Sequence, residues 1–150
     1  MQNLLARVNI PVSVLYRNWD ASLNEQLFYL GNKAVGTVGE ELIAVVLGGS
    51  RVKTVKAGYD VRVGKKLIEV KTARESFSAT NVKWTWSQIR LDKQQTHLAL
   101  IAISPEDIRG ILLTKRQVDK LELLHQHSKD SMQLKLSEVN FANLHSKHAV

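Results

Sequence analysis

Asp60, Glu69 and Lys71 are the side chains whose types and spacing are best suited to chemistry. They belong to the stretch Gly58-Tyr59-Asp60-Val61-Arg62-Val63-Gly64-Lys65-Lys66-Leu67-Ile68-Glu69-Val70-Lys71, which reads as two short strands turning at Gly64-Lys65. Gly at the first central position suits a type II′ hairpin turn. With that turn Val63 faces Lys66, Val61 faces Ile68 and Asp60 faces Glu69. Carboxylates opposed on adjacent strands would have Cβ atoms about 4.5–5.5 Å apart, and like charges there are destabilising. A cation held between the two acids is the expected reason for such a pair. Lys71, two residues beyond Glu69, points to the same face. Two acids and a lysine therefore converge on one small volume.

The surroundings of this hairpin are basic. The formal charge of the 150-residue chain is +7, with 44% hydrophobic and 23% charged residues. Between Arg51 and Lys93 there are eleven Lys/Arg and four Asp/Glu, and the rest of the chain holds ten of each. The whole excess thus surrounds the hairpin. A concentrated basic field beside a carboxylate pair points to a polyanionic partner held while a metal acts on it. The length fits a single domain with a real core. With no cysteine, disulfides, thiolate metal sites and cysteine nucleophiles are excluded. No apolar run approaches a membrane span and the start does not resemble a signal peptide, so no membrane association and an intracellular setting are expected.

The elements that must position these residues can be read in order. Residues 1–20 read as an arm or an accessory helix, with a break expected at Pro11, and Ser22 with Glu25 has the spacing of a capping box. Residues 31–49 have helical length, are apolar nearly all round and end at Gly48-Gly49, which predicts a buried helix. That helix carries Glu40 and Glu41, and helical phase alone does not choose which of them faces the interior. Residues 51–55 alternate as a strand, and 72–81 read as a ten-residue polar loop suited to phosphate contacts. Trp84 and Trp86 share one strand face, where core packing is the commoner role of tryptophan than base stacking. Residues 97–104 predict a central strand and 108–114 a further one. With Thr114 as N-cap, 115–127 predict an amphipathic helix with Val118, Leu121 and Leu124 on its inner face. A short strand over 132–136 and a polar tail over 140–150 complete the chain.

Other chemistries find no support. The spacing of the five histidines fits no zinc site. Gly36 and Gly39 make neither a dinucleotide fingerprint nor a phosphate loop, so no nucleotide cofactor is expected, and no Gly-x-Ser-x-Gly elbow is present.

A helix glutamate followed by Asp60 and then Glu69-Val70-Lys71 resembles the PD-(D/E)XK nuclease superfamily, over roughly residues 36–71. That group includes type II restriction enzymes, some homing endonucleases and Holliday-junction resolvases. Asp60 occupies the position of the motif's Asp, Glu69 of its second acid and Lys71 of its lysine; Tyr59 stands where proline is common. Gly36-Thr37-Val38-Gly39-Glu40 looks like the glycine-led helix that carries an extra acid, which favours Glu40. The resemblance implies an α/β, restriction-endonuclease-like core, a mixed central β-sheet flanked by α-helices. It implies Asp60, Glu69, the Val70 carbonyl and Glu40 as ligands of Mg²⁺, with Mn²⁺ as a substitute, and Lys71 as the residue that orients or deprotonates the attacking water. The implied activity is hydrolysis of DNA phosphodiester bonds, foremost sequence-specific cleavage of double-stranded DNA. Two sites are needed to cut both strands, so a homodimer or a dimer of dimers is expected. Arg74, Ser76, Ser78, Lys83, Gln88, Arg90 and Lys93 are the candidate DNA contacts. The alternatives are a structure-selective junction resolvase and a DNA-binding module with a degenerate nuclease core.

Overall fold

The longest apolar run decides the centre of the fold. His97–Ile103 alternates two sets of core side chains, so this strand must be covered on both faces. The computed structural model describes residues 28–52, 58–90, 94–125 and 131–150. Among them the order is α1 (Asn32–Leu47), β1 (Ser50–Arg51), β2 (Val61–Val63), β3 (Lys66–Arg74), β4 (Ser76–Ser78), β5 (Asn81–Ile89), β6 (His97–Ile103), β7 (Ile108–Thr114), α2 (Lys115–Val118), β8 (Leu124–His125), β9 (Met132–Ser137) and α3 (Glu138–His148). One sheet has the order β1-β2-β3-β6-β7, with β3 and β6 parallel and the other pairs antiparallel. The other sheet is antiparallel, in the order β4-β5-β9-β8.

The two faces of β6 build two cores. Ala99, Ile101 and Ile103 pack with Ile68 and Val70 of β3 and Val61 of β2 against Val35, Leu42 and Ile43 of α1. Leu98, Leu100 and Ala102 pack with Ile111 and Leu113 of β7 against Trp84 and Trp86 of β5, Leu134 of β9 and Phe141 of α3. Both tryptophans are therefore core residues, at 1% and 0% exposure. Trp86 also donates its indole N–H to the Ile101 carbonyl at 2.9 Å, which satisfies its polar atom inside the core. α1 ends as the glycine pair predicts. Gly48 takes φ 68° in the left-handed region, and its N–H returns to the Ala44 and Val45 carbonyls.

The class is mixed α/β, but the main sheet is not flanked by helices on both sides. Helix α1 covers one face and the second sheet, with α3, covers the other. Three further expectations are corrected. Residues 72–81 are not a loop: β3 keeps its pairing with β6 as far as Arg74↔Ile103, and β4 and β5 then form a hairpin, Ser76↔Lys83 to Ser78↔Asn81. Small hydroxylated residues are compatible with strands once neighbouring strands satisfy their backbone. Residues 115–127 do not form one helix. The predicted Thr114 cap is present as a capping box with Gln117, but α2 stops after one turn; Leu121 and Leu123 then pack on the second core, while Leu124 is an exposed strand residue. Tertiary burial overrides the helical period there.

The segment 140–150 is not a tail. Ser137 caps α3 through the Asn140 N–H, Phe141 is fully buried, and Val150 N–H donates to the Gly110 carbonyl at 3.0 Å. The arm over 1–20, the Ser22 cap, most of the 51–55 strand and Lys93 lie outside the described residues. No helix among the described residues is long and apolar enough to cross a membrane.

Candidate functional site

The hairpin that carries the acids closes as its sequence predicts. Gly64 takes φ 58°, Lys65 stays out of the positive-φ region, and the register is Val63↔Lys66, Arg62↔Leu67 and Val61↔Ile68. This is the type II′ pattern. The ladder ends one residue short of the acid pair, and this changes how the two acids meet. Asp60 does not pair with Glu69. Its N–H donates to the Ile68 carbonyl at 2.8 Å, and its Oδ2 accepts the Val70 N–H at 2.8 Å. The carboxylate of Asp60 thus takes over the strand-pairing role that β2 gives up.

The edge β2 vacates is where the main chain of Val70 points. Alternate residues of a strand direct their N–H and C=O groups to opposite neighbours. The Leu67 carbonyl receives the Thr96 N–H on the β6 side, whereas the Ile68 carbonyl and Val70 N–H meet Asp60 on the other side. The carbonyl of Val70 therefore lies on the free edge of β3, beside Asp60. Glu69 is buried at 9% exposure, and Lys71 Nζ is 2.7 Å from its Oε1.

Helix α1 brings in the third acid. Gly39 and Thr72 set the distance between helix and strand, for a Cβ at Gly39 would stand inside contact distance of Thr72 Oγ1 and 3.3 Å from Ile101 Cδ1. Glu40, the next residue, faces the site, and Arg51 of β1 holds it with Nε 2.5 Å from Oε2. Glu41 lies farther from the same guanidinium, at 3.7 Å.

A cleft of about 600 Å³ opens along this free edge. Its walls are Asn32, Gly36 and Glu40 of α1, Asp60, residues 70–74 of β3, Glu75 and Ser76, and Thr85, Ser87 and Gln88 of β5. Thr85 and Ser87 reach it because they alternate with the buried Trp84 and Trp86. Gln88 reaches it by a different device. The register slips between Trp86↔Leu134 and Ile89↔Met132, so Ser87 and Gln88 together oppose Gln133, and Gln88 adopts φ 57°. The bulge turns a second consecutive side chain towards the cleft and returns Ile89 to the core.

Burial and neighbouring charge disfavour the ionised form of two of these acids, Glu69 and Glu40. Burial pushes the carboxyl of Glu69 above the ordinary carboxylate range; the charges of Asp60 and Glu40 push the same way, against Lys71. Burial also raises Glu40, with Asp60 adding to the effect and the Arg51 hydrogen bond opposing it. A divalent cation would relieve this mutual repulsion. Two carboxylates and a main-chain carbonyl are oxygen donors of the kind Mg²⁺ takes, and Mg²⁺ is commonly held by only one or two carboxylates and waters. The set Asp60, Glu69 and the Val70 carbonyl fits that chemistry. Glu69, however, does not line the cleft, and among the described residues no three His, Asp or Glu side chains are gathered closely enough to hold a metal ion.

The candidate DNA contacts divide. Arg74 is committed inward, bonding the Phe28 and Leu30 carbonyls and Asn32 Oδ1, so it fastens the chain before α1 to the end of β3. Ser76, Ser78, Lys83, Gln88 and Arg90 are exposed, with Ser76 Oγ donating to the Lys83 carbonyl at 2.9 Å. Sequence reasoning missed Arg51 as the partner of Glu40, Thr72 as the residue that Gly39 meets across the helix–strand contact, and Thr85 and Ser87 as cleft walls. The last two were detectable, since they alternate with the tryptophans. No local signal marks Arg51. No protein-family model matches the chain, and the search of curated proteins finds no match either.

Proposed function

We propose that this protein is a divalent-metal-dependent endonuclease acting on double-stranded DNA, and that α1, the β1–β2–β3 meander and the parallel strand β6 form a restriction-endonuclease-like core. The observation that carries the reading is the meeting of Glu40, Asp60 and Lys71 at one cleft, with Glu69 bonded to that lysine. Asp60, Glu69 and Lys71 lie within the segment, Arg51 to Lys93, that holds the chain's whole positive excess. A Mg²⁺ or Mn²⁺ ion held by Asp60, Glu69 and the Val70 carbonyl would polarise the scissile phosphate and lower the pKa of a bound water. Lys71, already at the cleft wall, would orient the attacking water and stabilise the charge growing on the phosphate. Glu40 lines the cleft from the helix side and would add a further carboxylate to the shell of such an ion. Thr85, Ser87 and Gln88 supply donors and acceptors along the path of the nucleic acid.

A second reading has its own support. Each acid already has a partner: Glu40 has Arg51, Asp60 the Val70 N–H, and Glu69 has Lys71. A chain with no catalytic duty could keep such pairs in a DNA-binding module with a degenerate core. Incubating a long mixed-sequence DNA with Mg²⁺ or Mn²⁺ and mapping the ends separates the two. Discrete ends identify a sequence reader, and cuts confined to four-way junctions identify a resolvase. Asp60→Asn and Lys71→Ala should lower the rate by about 10²–10³-fold. Variants that cut as fast as the wild type would sink the catalytic assignment. Steeply salt-dependent binding without cleavage in either ion identifies the binding module.

A further inference from the structure

We propose that the outer face of the second sheet is the surface that reads a groove of the duplex. This rests on the DNA reading above and extends it to a defined surface and a mode of recognition. The inner face of β5 and β9 is spent on the core through Trp84, Trp86, Leu134 and Leu136. The alternate residues must face outward, and the register aligns them: Lys83 opposite Ser137, and Thr85 opposite Lys135. At the bulge Gln133 faces Ser87, with its Nε2 3.0 Å from Ser87 Oγ. Strand β4 adds Ser76 and Ser78, paired with Lys83 and Asn81.

The chemistry of this face selects the occupant. The chain holds 14 Asp and Glu, yet none is among the outward residues of β4, β5, β9 and β8. Two lysines, hydroxyls and amides remain, which are the groups that bond phosphates and base edges. A protein partner would call for a buried aromatic or aliphatic anchor near the centre. The single large apolar residue in outward register is Leu124, at the far edge opposite Gln133. The sheet has four strands, but the flanking β4 and β8 are only three and two residues long. The projecting part of β5 and β9 is an antiparallel pair of the kind that the major groove, about 12 Å wide, admits. The face is also continuous with the cleft, since Ser76, Thr85, Ser87 and Gln88 belong to both. A duplex whose phosphate enters the cleft therefore lays its adjacent groove on this sheet. Within it Lys83 and Lys135 are placed for phosphates, and the amides of Gln88 and Gln133 for base edges, where a side-chain amide pairs best with adenine.

The test is fluorescence anisotropy on a labelled 40-base-pair mixed-sequence duplex, titrated with salt in EDTA, using the full chain. Lys83→Ala and Lys135→Ala should each weaken binding and lower the slope of log K against log salt by about one. Lys147→Ala, an exposed lysine on α3, should leave both unchanged. Thermal melts by circular dichroism confirm that the surface variants fold. In end mapping with Mg²⁺, Gln88→Ala and Gln133→Ala should relax the base preference at one position each by about tenfold. If the wild type binds duplex while both lysine variants retain its affinity and salt slope, the surface is wrong and the nuclease reading stands. Tighter binding of the matching single strand overturns groove reading. If the wild type binds no duplex, the DNA reading itself fails and takes this surface with it.

Discussion

Replacing Gly39 with alanine tests how α1 is seated on the sheet, and with it the spacing of Glu40 from Asp60 and Lys71. In an open helix interior the change would stabilise by about 0.8–1.0 kcal/mol, because glycine loses more backbone freedom on folding. Here the new Cβ meets Thr72 Oγ1 inside contact distance, with Thr72 Cβ and Ile101 Cδ1 both at 3.3 Å. Thr72 is β-branched and sits on a strand paired with β6, so it has little room to yield. Overpacking of this kind costs about 1–3 kcal/mol. Gly39→Ala should therefore be destabilised by about 1 kcal/mol in net terms, or roughly 2–4 °C in melting temperature for a chain of this length.

The decisive variant is the double one. Thr72 Oγ1 is buried with no hydrogen-bond partner among the described residues, so Thr72→Ala removes a group whose loss costs little. In that background Gly39→Ala should change sign and stabilise, by less than the full value of about 0.8–1.0 kcal/mol because the Cβ of residue 72 and Ile101 Cδ1 still stand at 3.3 Å. Urea denaturation of the four proteins closes the cycle, with an expected coupling of about 1–3 kcal/mol. Gly39→Ala as stable as the wild type with Thr72 in place, or a double variant no better than Thr72→Ala alone, would refute the close-contact argument.

Two acids should respond to pH in opposite senses. Glu69 has its folded-state pKa raised, chiefly by burial, so the native state holds its proton over a range where the unfolded chain has released it. Its contribution therefore lowers stability as pH rises from about 4.3 through the raised folded value, and stays unfavourable above it. Without divalent ions, Glu69→Gln should be more stable than the wild type near neutral pH, and the gain should vanish below about pH 4 in urea titrations. A difference independent of pH would count against the burial account. Glu138 is the reverse case. The hydrogen bonds from Arg109, Nη1 to Oε1 at 2.7 Å and Nη2 to Oε2 at 3.0 Å, hold its carboxyl below the ordinary range, and the Trp84 indole N–H adds a third at 2.6 Å. Its stabilisation is present above about pH 4.3 and lost as pH falls through the depressed folded value. Glu138→Gln should cost about 1–2 kcal/mol at neutral pH, allowing for a side chain 39% exposed, and nothing in strong acid. A cost that persists undiminished at acid pH would point to packing rather than charge.

Local patterns of the chain determined more of the fold than of the site. The II′ turn at Gly64, the helix closed by Gly48, the central strand over 97–103 and the inward tryptophans follow from glycine conformation and from the periods of strand and helix. These are short-range effects, and a few neighbouring residues suffice to specify them. The 115–127 helix, the 72–81 loop and the 140–150 tail were misjudged because their outcome rests on partners distant in the chain. β9 and β5 form the second sheet, and the pocket around Trp84 and Trp86 receives Phe141.

The same division runs through the candidate site. Asp60, Glu69 and Lys71 were visible together because one hairpin carries them. Only the tertiary structure decided that Asp60 bonds the Val70 N–H instead of facing Glu69, because the ladder stops at Val61. It also put Glu40 rather than Glu41 on the cleft wall. Glu40 lines the cleft because the Gly39–Thr72 contact fixes how α1 is turned against β3, and Arg51 reaches it from a strand eleven residues on. Helical phase repeats every 3.6 residues and gives the order of side chains around the axis, but which side meets the sheet depends on what packs against it.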